Sequence, residues 1–344
     1  LVTLAFAATL FGAAAGAAEI RLIETGSTLL YPLFNLWVGD YRKTHPGIDI
    51  VTQGIGSGAG ITEAISGAAH IGASDAYMSD FQLRAAAGIL NIPLAISSQM
   101  VNYNIPGLDK VHLNLSGPVL AGIYQGKIRF WDDTAIGQLN RGVRLPHNQI
   151  VPIHRTDGSG DTFIFTQYLS FSTPEWSDSQ SYGTTLNWPA VRTAIGVEGN
   201  SGMVEAARQT PYAIAYVGIS FKNAVEEAGL GTAKLLNKDG KFLLPDPATV
   251  TAAVKETAPK TPPHERISLI FPPGAQSYPI INYEYAIVKT EQASAGVAAA
   301  LKAFLNWAVD PNGGNAAHYM NAVGFVALPE AIVKLSQKQI AQIH

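Results

Sequence analysis

The chain has 344 residues, more than a single hydrophobic core readily serves, so two lobes are expected before any motif is read. Hydrophobic residues make up 47% and charged residues only 14%, which excludes a disordered chain, and a net charge of -3 without Lys/Arg blocks excludes nucleic acid or an anionic membrane surface as a partner. With no cysteine there are no disulfides and no thiolate metal sites, although a chain this large manages without staples in any compartment.

Leu1 to Phe11 are nearly all apolar and run into Ala15-Gly16-Ala17-Ala18 before Glu19, the pattern of a secretory signal peptide whose basic start is missing. Residues 1-18 are therefore expected to be a signal remnant, and the mature protein to be periplasmic. No later run reaches the ~18 uninterrupted apolar residues of a membrane span. Beyond it, apolar or alternating runs (Ile20 to Ile23, Ile48 to Val51, Val151 to Ile153, Ala213 to Val217) alternate with helical stretches, the α/β pattern. Leu33, Leu36 and Trp37 mark the buried face of one helix, and Ile61, Ala64, Ile65 and Ala68 that of the next. Ser79 with Gln82 predicts a capping box opening a short helix over Phe81 to Ala87 that stops at Gly88. Asn237 to His264, rich in Pro, Thr, Lys and Asp, predicts irregular surface structure with one helix at most. Trp37, Trp188 and Trp307 are expected in the core.

Four segments place Gly, Ser or Thr where a strand gives way to a helix: Thr25-Gly26-Ser27-Thr28, Gly54-Ile55-Gly56-Ser57-Gly58, Gly72-Ala73-Ser74-Asp75, and Thr156-Asp157-Gly158-Ser159-Gly160-Asp161-Thr162. In open α/β sheets such loops gather at the carboxyl edge of the strands, where helix N-terminal amides and hydroxyls bind oxyanions without a lysine. Thr28, Ser57 and Ser159 are candidate donors; the plainer alternative is that Ser57 and Ser159 are helix caps and the glycines turn residues. Arg155 follows a β-like run and offers a planar fork for two oxyanion oxygens, or else a structural ion pair with Asp157. Asp75 and Asp161 would repel a bare anion, but phosphate keeps one or two protons near neutrality and sulfate none, so a carboxylate there accepts P-OH and discriminates against sulfate. Two such acceptors suit the dihydrogen form and predict tighter binding toward acid; the alternative for Asp161 is a first-turn residue favourable to the helix dipole.

Enzyme signatures are missing. There is no G-x-x-x-x-G-K-[ST] loop, no G-x-S-x-G elbow and no H-E-x-x-H; the eight histidines, such as His70 and His112, are scattered. Asp132 and Asp133 suit a helix cap and a solvated neighbour better than an acid and base pair. The chain is expected to be no enzyme, and to need no cofactor and no metal.

From about Leu22 to Pro329 the chain resembles the bacterial periplasmic phosphate-binding protein of the phosphate-specific ABC transport system, the PstS family. The matching stretches are TGSTLLYP at Thr25 to Pro32, QGIGSGAGI at Gln53 to Ile61, GASDAYMS at Gly72 to Ser79, IYQGKIRFWDD at Ile123 to Asp133 and RTDGSGDTFIFTQYL at Arg155 to Leu169. The resemblance implies the type II periplasmic-binding-protein fold, two α/β lobes joined by two crossover strands near Ser98 to Tyr103 and Ser277 to Glu284, with the ligand cleft between them. Lobe I would comprise residues 19-98 and 278-344, and lobe II residues 99-277. It also implies a phosphate site of Thr28, Leu29 (by its amide), Ser57, Asp75, Arg155, Ser159 and Gly160. Leu29 stands where the best-known members have phenylalanine, and Asp161, the remaining candidate, where a threonine is common though some relatives carry aspartate. Hinge closure on one phosphate ion, then docking of a monomer on the permease subunits of an ABC importer, is the mechanism implied. The competing readings are a receptor for arsenate, sulfate or molybdate, a secreted phosphatase, and a phosphate sensor without transport.

Overall fold

The computed structural model describes residues 19–344, so the expected signal remnant lies outside the described residues. Strands β1 (Ile20–Gly26), β2 (Ile48–Gly54) and β3 (Ile71–Ser74) run parallel, with β1 in the middle, joined by helices α1 (Tyr31–Thr44) and α2 (Ser57–Ser66). Beside β3 comes the late strand Ile281–Lys289, antiparallel, and then the long strand β4 (Ile89–Tyr103), buried along its whole length. The first ten residues of β4 pair with Ile281–Lys289, whereas Gln99 to Tyr103 pair with Ala213–Gly218. Strands Val151–Arg155 and Ile195–Val197 extend that second half in parallel. One strand thus carries the main-chain ladders of both halves, changing partner between Ser98 and Gln99. A register shift stands opposite Glu284/Tyr285, where Leu94 is the extra residue beside Pro93, which has no N–H to give the ladder.

Trp37 fixes α1 to the late helix Ala295–Val309. It is fully buried, its indole N–H donates to the Gly314 carbonyl at 2.8 Å, and its ring meets Phe34 edge-on at 5.4 Å and Phe304 at 6.4 Å. Trp188 and Trp307 pack against the core from partly exposed positions, not from within it. Gly60 lets α2 lie directly on the sheet: a Cβ there would sit 2.7 Å from the carbonyl oxygens of both Thr25 and Ala73. The two helix faces are narrower than the apolar spacing suggests. Leu36 is 39% exposed. Ala68 lies beyond α2, which ends at left-handed Gly67, φ 80°. The capping box at Ser79 and Gln82 is present, opening a helix over Asp80–Ala85, and Asp133 caps Thr134–Leu139. Residues 237–264 hold the helix Pro247–Thr257 amid short irregular pieces.

Candidate functional site

All four Gly/Ser/Thr segments fall at the carboxyl ends of strands. Thr25 to Thr28 link β1 to α1, Gly54 to Gly58 link β2 to α2, Gly72 to Asp75 close β3, and Thr156 to Thr162 lead from Val151–Arg155 into the helix Gly160–Ser172. They meet. The Gly58 N–H donates to the Gly158 carbonyl at 2.7 Å, and a Cβ on Gly160 would lie 2.5 Å from Ser57 Oγ and also against Asp75. Ser220 Oγ donates to the Leu29 carbonyl at 2.7 Å, and Asn200 donates to Thr28 Oγ1 at 3.0 Å. These contacts join residues before Ser98 to residues after it, so the two walls are closed on each other. Ser57, Asp75, Arg155, Ser159 and Asp161 are each at most 3% exposed.

The serines differ in role. Ser159 is the N-cap of its helix, accepting from the Thr162 N–H at 3.1 Å. Ser57 is not a cap. Gly56, at φ 99°, takes that place, and Ser57, in the first turn of α2, turns its hydroxyl toward Asp75 at 3.4 Å while accepting the Asp75 N–H at 3.2 Å. Ser27 Oγ donates to the other Asp75 oxygen and accepts the amides of Leu29 at 3.1 Å and Leu30 at 3.0 Å. The Leu29 amide is therefore directed at Ser27 in this closed arrangement. At the opposite wall, the first-turn amides of Gly160 and Asp161 have no acceptor inside their own helix.

Arg155 forms the ion pair with Asp157 that was one of its two sequence readings, and reaches Asp161 as well. Its Nε donates to Asp157 at 2.6 Å and its Nη2 to the same carboxylate, while Nη1 reaches Asp161 at 3.2 Å. A guanidinium carries five N–H groups, so one remains on each terminal nitrogen. Its side chain is 1% exposed. Burial alone would lower the guanidinium, but Asp157 and Asp161 outweigh it and hold Arg155 above its ordinary value. Asp157 also accepts the Gly199 N–H at 3.3 Å, tying the loop to the next helix, Gly199–Gln209.

Burial pushes Asp75 above the ordinary carboxyl range, against hydrogen bonds from Glu284, Ser27 and Ser57 and the charge of Arg155. Asp161 is pushed up to about 7, by burial first and then by the Asp75 charge, with Arg155, Gln99 and Asn200 opposing. Its oxygens accept from Gln99 at 3.0 Å and Asn200 at 2.6 Å. The dipole-pairing alternative for Asp161 thus describes only part of its surroundings: it is a hub between β4, Arg155 and Asn200.

Several residues of this site escape the motif reading. Asn200 opens a fifth glycine-bearing strand-to-helix junction, Glu198-Gly199-Asn200, and its Oδ1 accepts the Gly218 N–H at 2.9 Å. Gln99 and Glu284 are polar residues inside buried strands, where a polar side chain is itself the signal. His70 accepts the Ile23 N–H at 3.0 Å, while Asp132 pairs with His147 at the surface. Among the described residues, no cluster of His, Asp or Glu has the makings of a metal site.

Residues 12–312 match the PBP superfamily domain. The chain is 35% identical to the phosphate-binding protein PstS of Methanocaldococcus jannaschii, over 94% of this chain and 86% of that one. It is 32% identical to the phosphate-binding protein PstS of Pasteurella multocida, over 91% and 88%. Among solved structures, the phosphate-binding protein from Stenotrophomonas maltophilia superposes with a TM-score of 0.74 at 19% identity, covering 93% of this chain and 94% of that one.

Proposed function

We propose, from the premise that this chain belongs to the PstS family of phosphate-binding proteins and carries the type II periplasmic-binding-protein fold, that it captures inorganic phosphate outside the cytoplasmic membrane and hands it to an ABC-type import permease. It is a receptor and not an enzyme. The observation that carries this reading is the burial of Arg155, with two N–H groups to spare, in contact with Asp161 and with its charge felt by the buried Asp75, at the meeting of four strand-to-helix junctions. A cation and first-turn amides supply donors; Asp75 supplies an acceptor for a ligand proton. That combination suits a partly protonated oxyanion and rejects sulfate, whose oxygens would face a carboxylate with no proton between them.

In this reading the ligand is held by Thr28, the Leu29 amide, Ser57, Asp75, Arg155, Ser159, Gly160 and Asp161. Lobe I is residues 19-98 with 278-344 and lobe II is residues 99-277. The change of pairing partner within β4, between Ser98 and Gln99, supports a hinge there. Opening would separate Gly58 from Gly158 and the Leu29 carbonyl from Ser220. Ligand favours closure only through contacts made in the closed form alone, here those that bridge the two walls. The chain acts as a monomer. Among the described residues no helix is long and apolar enough to cross a membrane.

Calorimetric titration of phosphate-stripped protein with phosphate and then sulfate, beside Asp75→Asn, tests the reading. Tight phosphate binding without sulfate heat, and weakened discrimination in the variant, are expected. No phosphate binding by the wild-type chain would sink it.

A further inference from the structure

Beside Asp75, on the neighbouring antiparallel strand, stands a second carboxyl that neither the motifs nor the phosphate reading uses. Glu284 lies in the strand Ile281–Lys289 beside the pairing shift, is 0% exposed, and stands opposite Asp75, one step beyond the antiparallel rung that pairs Tyr285 with Ser74. Two carboxyls side by side and both out of water cannot both ionise, so one proton resides between them. The surroundings decide which group owns it. Asp75 accepts hydroxyls from Ser27 and Ser57 and feels Arg155, all of which favour its ionised form. Glu284 has Ser97 Oγ donating to its Oε1 at 2.5 Å, and its Oε2 finds no donor among the described residues. An orphan buried carboxylate oxygen is costly, whereas a protonated one is a donor in need of an acceptor. Asp75 is that acceptor.

We propose that Glu284 is a positioning residue for anion recognition: its neutral carboxyl donates a hydrogen bond to Asp75 from the neighbouring strand and keeps Asp75 an ionised, proton-accepting group toward the ligand. The groups facing Glu284 are Asp75 from β3, Ser97 from β4 and, at longer range, Asp161. The nearest countercharge, Arg155, acts on Asp75 and Asp161. Burial and the Asp75 charge both drive the Glu284 carboxyl well above its ordinary value, in keeping with the neutral form. The consequence is selectivity. If Asp75 took the proton, it would offer O–H to the cleft and welcome an unprotonated oxyanion; with the proton held on Glu284, Asp75 can only accept.

The inference rests on the phosphate-receptor reading, and its test separates the two. Glu284→Gln keeps an N–H toward Asp75 and an oxygen for Ser97; Glu284→Leu keeps the bulk and removes both. Phosphate and sulfate affinities would be measured from pH 5.5 to 8 on wild type and both variants. A hydrogen bond to a charged group of this kind corresponds to a loss on the order of tenfold to a hundredfold in Glu284→Leu, with sulfate binding appearing on the acid side as Asp75 takes up a proton. Glu284→Gln should stay within about threefold of wild type. Infrared difference spectra of wild type minus Glu284→Gln at pH 7 should leave one carbonyl stretch of a protonated carboxyl in excess in wild type, once the bands of protonated carboxyls common to both have cancelled, a reading that stands even if the leucine variant fails to fold. Wild-type phosphate affinity in Glu284→Leu, an equal loss in both variants without sulfate gain, or no protonated carboxyl in the spectra would each overturn the inference. Failure of wild type to bind phosphate would instead overturn the receptor reading, while the spectra still report on Glu284.

Discussion

Phosphate affinity should fall as pH rises above neutrality, and Asp161→Asn should remove about one decade per pH unit of that fall. The prediction follows from the charge count of the buried cluster. Arg155 is the single cation set against Asp157, Asp161 and Asp75, so with all three ionised an incoming anion meets an excess of negative charge. Protons must relieve it, whether they arrive on Asp161 or on the ligand. Asp161 is poised to take part, because burial and the Asp75 charge raise it to about 7. Each proton obligatorily retained weakens binding tenfold per pH unit once its group would otherwise be ionised, about 1.4 kcal/mol per unit. Between pH 7, where the group is already half ionised, and 8.5 this proton alone corresponds to a loss of roughly fifteenfold, to which the ligand's own deprotonation adds. An asparagine accepts the same hydrogen bonds from Arg155 or Gln99 without titrating. Calorimetry at constant ionic strength on phosphate-stripped wild type and Asp161→Asn would give both slopes. Parallel profiles above pH 7 would refute the role given to Asp161.

Ligand-free stability should fall from pH 5 to 8.5. Asp161 at about 7, and Glu24 and Glu265 each at about 8, are raised by burial, so the folded chain holds protons that the unfolded chain has already released. Their contribution is complete below the unfolded carboxyl range and is lost as pH climbs through the folded values; a melting temperature that rises across this window would contradict it. Gly58→Ala should obstruct closure and leave each half intact, since the new Cβ would lie 2.9 Å from Gly158 Cα and 3.2 Å from its carbonyl oxygen. Phosphate affinity should drop by about tenfold or more with no ligand-induced compaction in solution scattering, while the ligand-free melting temperature holds. Compaction and affinity like wild type would count against the closed geometry. Trp37→Ala removes a ring packed on Phe34 and Phe304 and strands the Gly314 carbonyl, for a loss of about 3–5 kcal/mol in denaturant unfolding without altered phosphate specificity.

The meeting of four strand-to-helix junctions was the most legible feature of the chain, for a physical reason. Binding an oxyanion through helix N-termini demands Gly, Ser and Thr at strand ends, and such residues stand out in a chain so poor in charge. Arg155, Asp75 and Asp161 stood beside them in the same motifs. Gln99 and Glu284 did not, because they lie within strands whose apolar neighbours belong to the sheet; only their polarity in a buried run marks them. Asn200 was missed because the strand before it, Ile195–Val197, is too short to show as an apolar run, although Gly199-Asn200-Ser201-Gly202 is a junction of the same kind. The helix faces were overdrawn for a different reason. Periodicity finds the stripe but not its edges, so Leu36 at the margin of α1 faces solvent and Ala68 falls past the glycine that ends α2.

The shared strand β4 also governs the order in which the chain can assemble. Apart from the Gln99 N–H, which also reaches the Ile280 carbonyl, the ladder partners of its second segment, Gln99 to Tyr103, lie between residues 214 and 232, so that half of the sheet can be laid down well before the chain ends. The N-terminal half waits. Until Ile281–Lys289 has been synthesised, β3 and the first ten residues of β4 have no strand to separate and join them. A chain arrested or clipped before Ile281 would leave two facing strand edges bare, and edges of that kind pair with whatever copy lies nearest, so truncation products should aggregate before they misfunction.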